Sequence, residues 1–283
     1  MEFSGRLAAI DNVTTVRDWR VSIDSDVQNF VASNTKGMQG TVKGNRDWNG
    51  SFNCYGHTPP IAFKPGEEVA FLGSYDGAKG LSGQILIDSI EITIDIEAGS
   101  IIGYTVNFSG NGAPDIDADA VVTDATMPDV YSSSQNCKVE AADLPAISEY
   151  SEVEHLRTVT ITISADNVSY VDSSTGGWTK RKKGNLSCEI SLTFYAEDND
   201  LSNATELYPN TLKKIHIHVD DGEYWELDCI IFSNLSDILL DREAAAMVGF
   251  SIDGSFTAYY DDGTEMVEGS ITDPADNEWW PND

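Results

Sequence analysis

The run HIHVDDGE sets His216 and His218 two residues apart, with Glu223 just past a short acidic turn. On an extended strand this spacing puts both imidazoles on one face, and two imidazoles with a carboxylate are a ligand set for a divalent metal. A fourth ligand would have to be another histidine, and the only others, His57 and His155, lie upstream. Solvated strand histidines are the commoner meaning of such a pair, so the metal set stands as a weak alternative. DIDAD gives Asp115, Asp117 and Asp119 calcium-like spacing, yet position 120 is Ala where the loop needs Gly and position 126 is Thr where a bidentate Glu belongs. The four cysteines, Cys54, Cys137, Cys188 and Cys229, form no CxxC pair and read as buried free thiols. There is no GxSxG, no Walker A run and no Cys/His pairing at a recognisable spacing. The sequence therefore predicts no catalytic constellation, no enzyme and no cofactor.

The elements that would hold these residues are strands. Ile90, Ile92, Ile94 and Ile96 alternate with Glu91, Thr93, Asp95 and Glu97, which predicts one core face and one acidic face turned to water. Residues 159–164, 190–194 and 215–219 alternate in the same way. Long helical periodicity is scarce, and the best short helix spans Asp200 to Leu207, ahead of Pro209. The fold class is all-β with short helices.

Charge and length narrow the function classes. Against 47 Asp plus Glu stand 17 Lys plus Arg, a formal charge of -30, which excludes an open cationic face for DNA or anionic lipid. No apolar run approaches 18 residues, and the start lacks a basic segment followed by an apolar stretch, so neither a membrane span nor export is expected. Seven Asn-x-Ser/Thr sequons then read as turns. The only basic run, Lys180, Arg181, Lys182 and Lys183, is expected to meet acidic surface on a neighbouring molecule. A chain of 283 residues is long enough for two domains.

An internal repeat makes that division specific. Shifting the sequence by 140 pairs residues 13–55 with 153–195 without a gap, and 13 of the 43 pairs are identical, Arg17/Arg157, Gly44/Gly184 and Tyr55/Tyr195 among them. A second match, at shift 146, pairs Gly103–Asn107 with Gly249–Asp253. This predicts a first copy over 1–112, an acidic linker or long loop over 113–152 and a second copy over 153–272. A tail over 273–283 follows, whose Trp279 and Trp280 are expected to dock.

The order of motifs VRDWRVSIDSD, TKGMQGTVKGNRDWNGSF, PGEEVAFLG and IDSIEITIDIEAGSIIGYTVNFSGNG resembles the tail tube proteins of long, flexible phage tails. In the second copy the resemblance rests on STGGWTKRKKGNLSCEISL and WELDCIIFSNLSDILLDREAAAMVGFSIDGSF. It covers about 13–112 and 153–260. The resemblance implies two tandem β-sandwich or barrel-like tube domains, packed edge to edge in stacked rings whose inner strands line a lumen. A doubled chain closes such a ring as a trimer with pseudo-sixfold symmetry. It also implies a virion structural protein of the tail, assembled in the host cytoplasm. Its partners would be itself, the tail proteins at both ends and, before ejection, the tape measure protein inside. DNA would pass through without specific binding, along a wall that no membrane contacts. Glu91, Asp95 and Glu97 are then the expected lumen carboxylates, with Glu226 and Asp228 as second-copy candidates, because an anionic wall lets DNA slide.

Two other classes stay open at this point. HIHVDDGE matches HxHxxxxE of the first cupin metal motif, without the cupin glycines, and would make a metal-dependent enzyme. Surface aromatics such as Trp178 and Trp225 would suit a carbohydrate-binding β-sandwich.

Overall fold

The structure is a computed structural model. It describes residues 1–5, 7–10, 16–31, 36, 38–55, 64–119, 133–143, 150–152, 156–196, 212–220, 223–230, 238–239, 246–261 and 266–270. The first half carries β1 (Glu2–Gly5), β2 (Leu7–Ile10), β3 (Val16–Phe30), β4 (Gly40–Tyr55), β5 (Glu68–Ser74), β6 (Lys79–Asp95), β7 (Gly103–Gly110) and β8 (Asp115–Asp119). The second carries β9 (Lys138–Asp143), β10 (Ser151–Glu152), β11 (Leu156–Ala165), β12 (Val168–Tyr170), β13 (Lys180–Lys182) and β14 (Leu186–Ala196). It continues with β15 (Leu212–Asp220), β16 (Glu223–Ile230), β17 (Ile238–Leu239), β18 (Ala246–Asp261) and β19 (Met266–Ser270). The fold is all-β; the one helical element among the described residues is a 3-10 turn at Ser134–Asn136. The helix expected at 200–207 and the tail with Trp279 and Trp280 lie outside the described residues.

Both halves use one strand order. In the first, β3 pairs β4, β4 pairs β7, β7 pairs β6, β6 pairs β5 and β5 pairs β2. In the second the series is β11, β14, β18, β16, β15 and β9. The registers coincide as well. Adding 140 to each partner of Trp19↔Phe52 gives Val159↔Leu192, which is the pair observed. Even the bulge is shared: the ladder slips between Val16 and Asp18 in one half and between Leu156 and Thr158 in the other, at the matched residues Arg17 and Arg157. A bulge re-aims a strand at one residue, so its recurrence at the same place is a specific feature.

The later strands correspond at a shift of 144. Glu68↔Leu86 becomes Leu212↔Ile230, and Phe52↔Val106 becomes Leu192↔Phe250. The 146 match expected for Gly103–Asn107 is thus two residues off, a slip that period-two alternation cannot detect because an even shift keeps each side chain on its face. The stretch 113–152, expected as a linker, instead contributes β8, β9 and β10. There β8 pairs β6, and β9 completes the second half's sheet beside β15.

One long strand joins the halves. The first part of β6 pairs β5 and its second part pairs β11, with Ile92 opposite Ile161. Between the two parts a ladder slip falls between Ile87 and Ser89, and Ile85, Leu86 and Ile87 are buried in succession because the strand there has packing on both faces. The core runs unbroken across this seam: Val159, Ile161 and Ile163 belong to the same cluster as Ile90, Ile92, Ile94, Phe108 and Trp48.

Candidate functional site

Two surfaces hold the halves together, and both are built from local sequence features. The first is the β6–β11 ladder, seven pairs from Thr158↔Asp95 to Ser164↔Ser89. Its inner face is Ile90, Ile92 and Ile94 against Val159, Ile161 and Ile163, all essentially buried. On the outer face Glu91 and Thr93 are exposed and Asp95 is half-buried, so the alternation places acids on the water side. Glu97 is not a free charge: its carboxylate accepts from Arg157 Nε at 2.8 Å, across the seam.

The second surface is the β12–β13 hairpin, which folds back on the first half. Arg181 spans the junction, donating to both carboxylate oxygens of Asp47 at 2.9 and 2.5 Å and to the Gly110 carbonyl at 2.6 Å. With its side chain 11% exposed, Arg181 is committed inside the chain, which corrects the expectation that the whole basic run faces a neighbour. Lys180 is half-buried, and Lys182 is exposed with its ammonium 5.9 Å from the Tyr170 ring centroid. The Lys183 side chain lies against Gly66. The sequence concealed this because a run of like charges carries no sign of which member finds a buried partner 134 residues away. Trp178 lies under the Arg46 guanidinium, 4.4 Å from the ring centroid, and the Arg46 side chain donates to the Gly176 carbonyl at 3.0 Å. Asn167 donates to the Ile87 carbonyl at 3.1 Å and to Asp88 at 2.8 Å.

At the other end the edge of β3 that matches this edge of β11 carries β1, while the equivalent of the hairpin is exposed. The first-half hairpin matching β12–β13 is the outer part of β3 and β4, and it protrudes. There Val27, Phe30, Val31, Met38 and Val42 are between 43% and 74% exposed. Met38 occupies the position of Trp178 in the repeat, and Leu186 occupies that of Arg46. Glu226 and Asp228 are on β16, paired with β15 at His216 and Lys214.

Among the described residues the histidines meet a carboxylate from a neighbouring strand. His216, His218 and Glu140 have ligand atoms within 4.8 Å of one another, because β9 pairs β15 with His216 opposite Glu140. Glu223 starts β16, paired with Asp220 across the turn. Both Glu140 oxygens are engaged, Oε1 by Lys138 at 2.9 Å and Oε2 by His218 Nε2 at 3.1 Å, and the Lys138 charge sits where it would oppose a cation. His216 is buried and stacks on Tyr150 at 4.0 Å. Glu140 thus ties Lys138 and His218 together through its two oxygens.

Burial lowers the His218 pKa, and the nearby Glu140 carboxylate offsets this only in part. Burial pushes the Glu140 carboxyl up, but the hydrogen bonds and charges of Lys138 and His218 outweigh it and hold it below the ordinary value. A histidine whose folded pKa is depressed stabilises the fold fully above its unfolded value of about 6.5, and that contribution falls as pH drops below it. Between pH 7.5 and 5 the wild-type melting temperature should therefore fall further than that of His218→Gln. Equal slopes by differential scanning fluorimetry would refute this.

No family model matches the chain, and no curated protein matches it. Among solved structures, it is similar to a chain of a structure described as "Virion of native gene transfer agent (GTA) particle". That likeness has 16% identity, covers 48% of this chain and 97% of that one, and has a TM-score of 0.33.

Proposed function

We propose that this chain is a non-enzymatic structural subunit of a virion tail tube, a doubled module that associates head to tail in closed rings. The observation that carries the reading is the internal seam. One copy docks on the other through an edge ladder and a folded-back hairpin, and the chain presents the matching apolar hairpin, unburied, at its other end. A heterologous contact that repeats generates a ring when the rotation closes, and with two copies per chain three chains give six modules. An apolar hairpin of this kind on a protein of charge -30 is a contact surface, since exposed apolar clusters are otherwise an aggregation liability.

The acidic face of β6 suits a bore. Glu91 and Asp95, repeated from chain to chain, would set carboxylates around the inner wall, where their field repels DNA phosphates over about 8 Å at physiological salt. DNA then slides without sticking. The reading is tested by sedimentation and negative-stain imaging of concentrated protein. Hollow rings or rods are expected for the wild type, and monomers for Met38→Lys/Val42→Lys. A wild type that stays monomeric at all accessible concentrations would end the proposal.

A further inference from the structure

We infer that β1 is a built-in guard strand, occupying the edge of β3 that receives β17 of a second copy and leaving it when chains assemble. The inference rests on the head-to-tail reading above. The geometry comes from comparing what lies beside β3 with what lies beside its counterpart β11. On β11 that edge is filled by β6, antiparallel, with Ile92 opposite Ile161. On β3 the same edge is filled by β1, also antiparallel, with Phe3 opposite Val21, the residue that matches Ile161. Phe3 therefore stands where Ile92 stands, and it is half-buried against the core as a smaller version of that contact.

The segment that precedes the sheet behaves differently in the two halves. Because β2 pairs β5 as β9 pairs β15, residues 133–136 are the counterparts of β1. Where β6 has taken the edge, those counterparts do not form a strand on β11. They fold into the 3-10 turn beneath the end of β6, with Ser134 Oγ donating to the Asp95 carbonyl at 2.6 Å and Ser134 N to the Ser100 carbonyl at 2.9 Å. The chain thus holds both arrangements of one element: a strand on the edge where no copy is docked, and a turn beside the edge where one is.

The occupants also differ in grip. β1 gives four ladder pairs with Glu2 and Ser4 exposed, helped by a stack of Phe3 on Tyr75 at 5.9 Å and by two backbone hydrogen bonds between Met1 and Ile23 at 2.9 and 2.8 Å. β6 gives seven pairs and three buried isoleucines. Carried to the next chain, the β6–β11 register puts Ile238 of a second copy opposite Val21, and Leu239 of that copy opposite Arg20. Among the described residues the pairing of β17 is with β18, as Ile92 of β6 pairs with Tyr104 of β7. A guard of this kind shields an edge that would otherwise template uncontrolled pairing.

A common acceptor cysteine at position 20 tests the exchange. Ser4 and Arg20 are ladder partners, so oxidised Ser4→Cys/Arg20→Cys locks β1 in place. Its assembly into rings or rods should be lost and should return on reduction, while Arg20→Cys/Leu239→Cys should form disulfide-linked chains in assembled material. Assembly of the locked protein as complete as that of the reduced form would overturn the exchange and leave head-to-tail association standing. A chain lacking residues 1–5 that stays monomeric would overturn both.

Discussion

Ile161→Asp is expected to abolish the native fold of the second half, giving a protein that is protease-sensitive from β11 onward. Ile161 is 1% exposed at the centre of the seam, opposite Ile92 on one side and Ile190 on the other. Removing its side chain alone costs about 2–5 kcal/mol, and a carboxylate left there without a partner adds desolvation on top. A whole domain is worth only about 5–15 kcal/mol, so the substitution takes a large share of the stability available. Limited proteolysis with mass mapping checks this: cuts confined to 156–270 are expected, and wild-type resistance would refute it. Thr160→Asp is the control, since its side chain lies on the half-buried outer face between Thr93 and Ser191 and should leave the fold intact.

Trp48→Ala has the next largest expected effect. Trp48 is 1% exposed, its Nε1 donates to the Gly112 carbonyl at 2.8 Å, and its ring meets Phe108 edge to face at 6.1 Å. The indole lies so close over Gly110 that a Cβ there would overlap it, which is why β7 ends in glycine. Deletion leaves a large cavity and an unpaired buried carbonyl, a loss of about 3–5 kcal/mol. In a chain of this size that lowers the melting temperature by roughly 10 °C. Trp48→Phe should recover much of the packing but not the Gly112 bond. A shift of only a degree or two for Trp48→Ala would show that the β4–β7 packing contributes little.

The all-β class was legible because alternation at period two is visible along a single strand: Ile90, Ile92 and Ile94 against Glu91, Thr93 and Asp95 could have been nothing else. The matched hairpins were legible for a similar reason, since the same pairs, Gly44-Asn45 and Gly184-Asn185, recur at the same distance from the same apolar positions. Faces survive an error of two residues, which is why the later repeat was placed at 146 while the ladders obey 144. The local motif could not name Glu140 as a neighbour of the histidines. Glu223 follows His218 in sequence, but the neighbouring strand brings Glu140 from 78 residues away.

By itself, the sequence determined which residues face inward on each strand and that the strand pattern occurs twice, because both are properties of local spacing. Tertiary structure alone decided that β6 outruns its own layer to pair β11, that Arg181 is used up on Asp47, and that β1 covers the edge of β3. Those outcomes depend on which strands become neighbours. A period-two pattern leaves that open, since every amphipathic strand offers the same backbone donors and acceptors to any partner of suitable length.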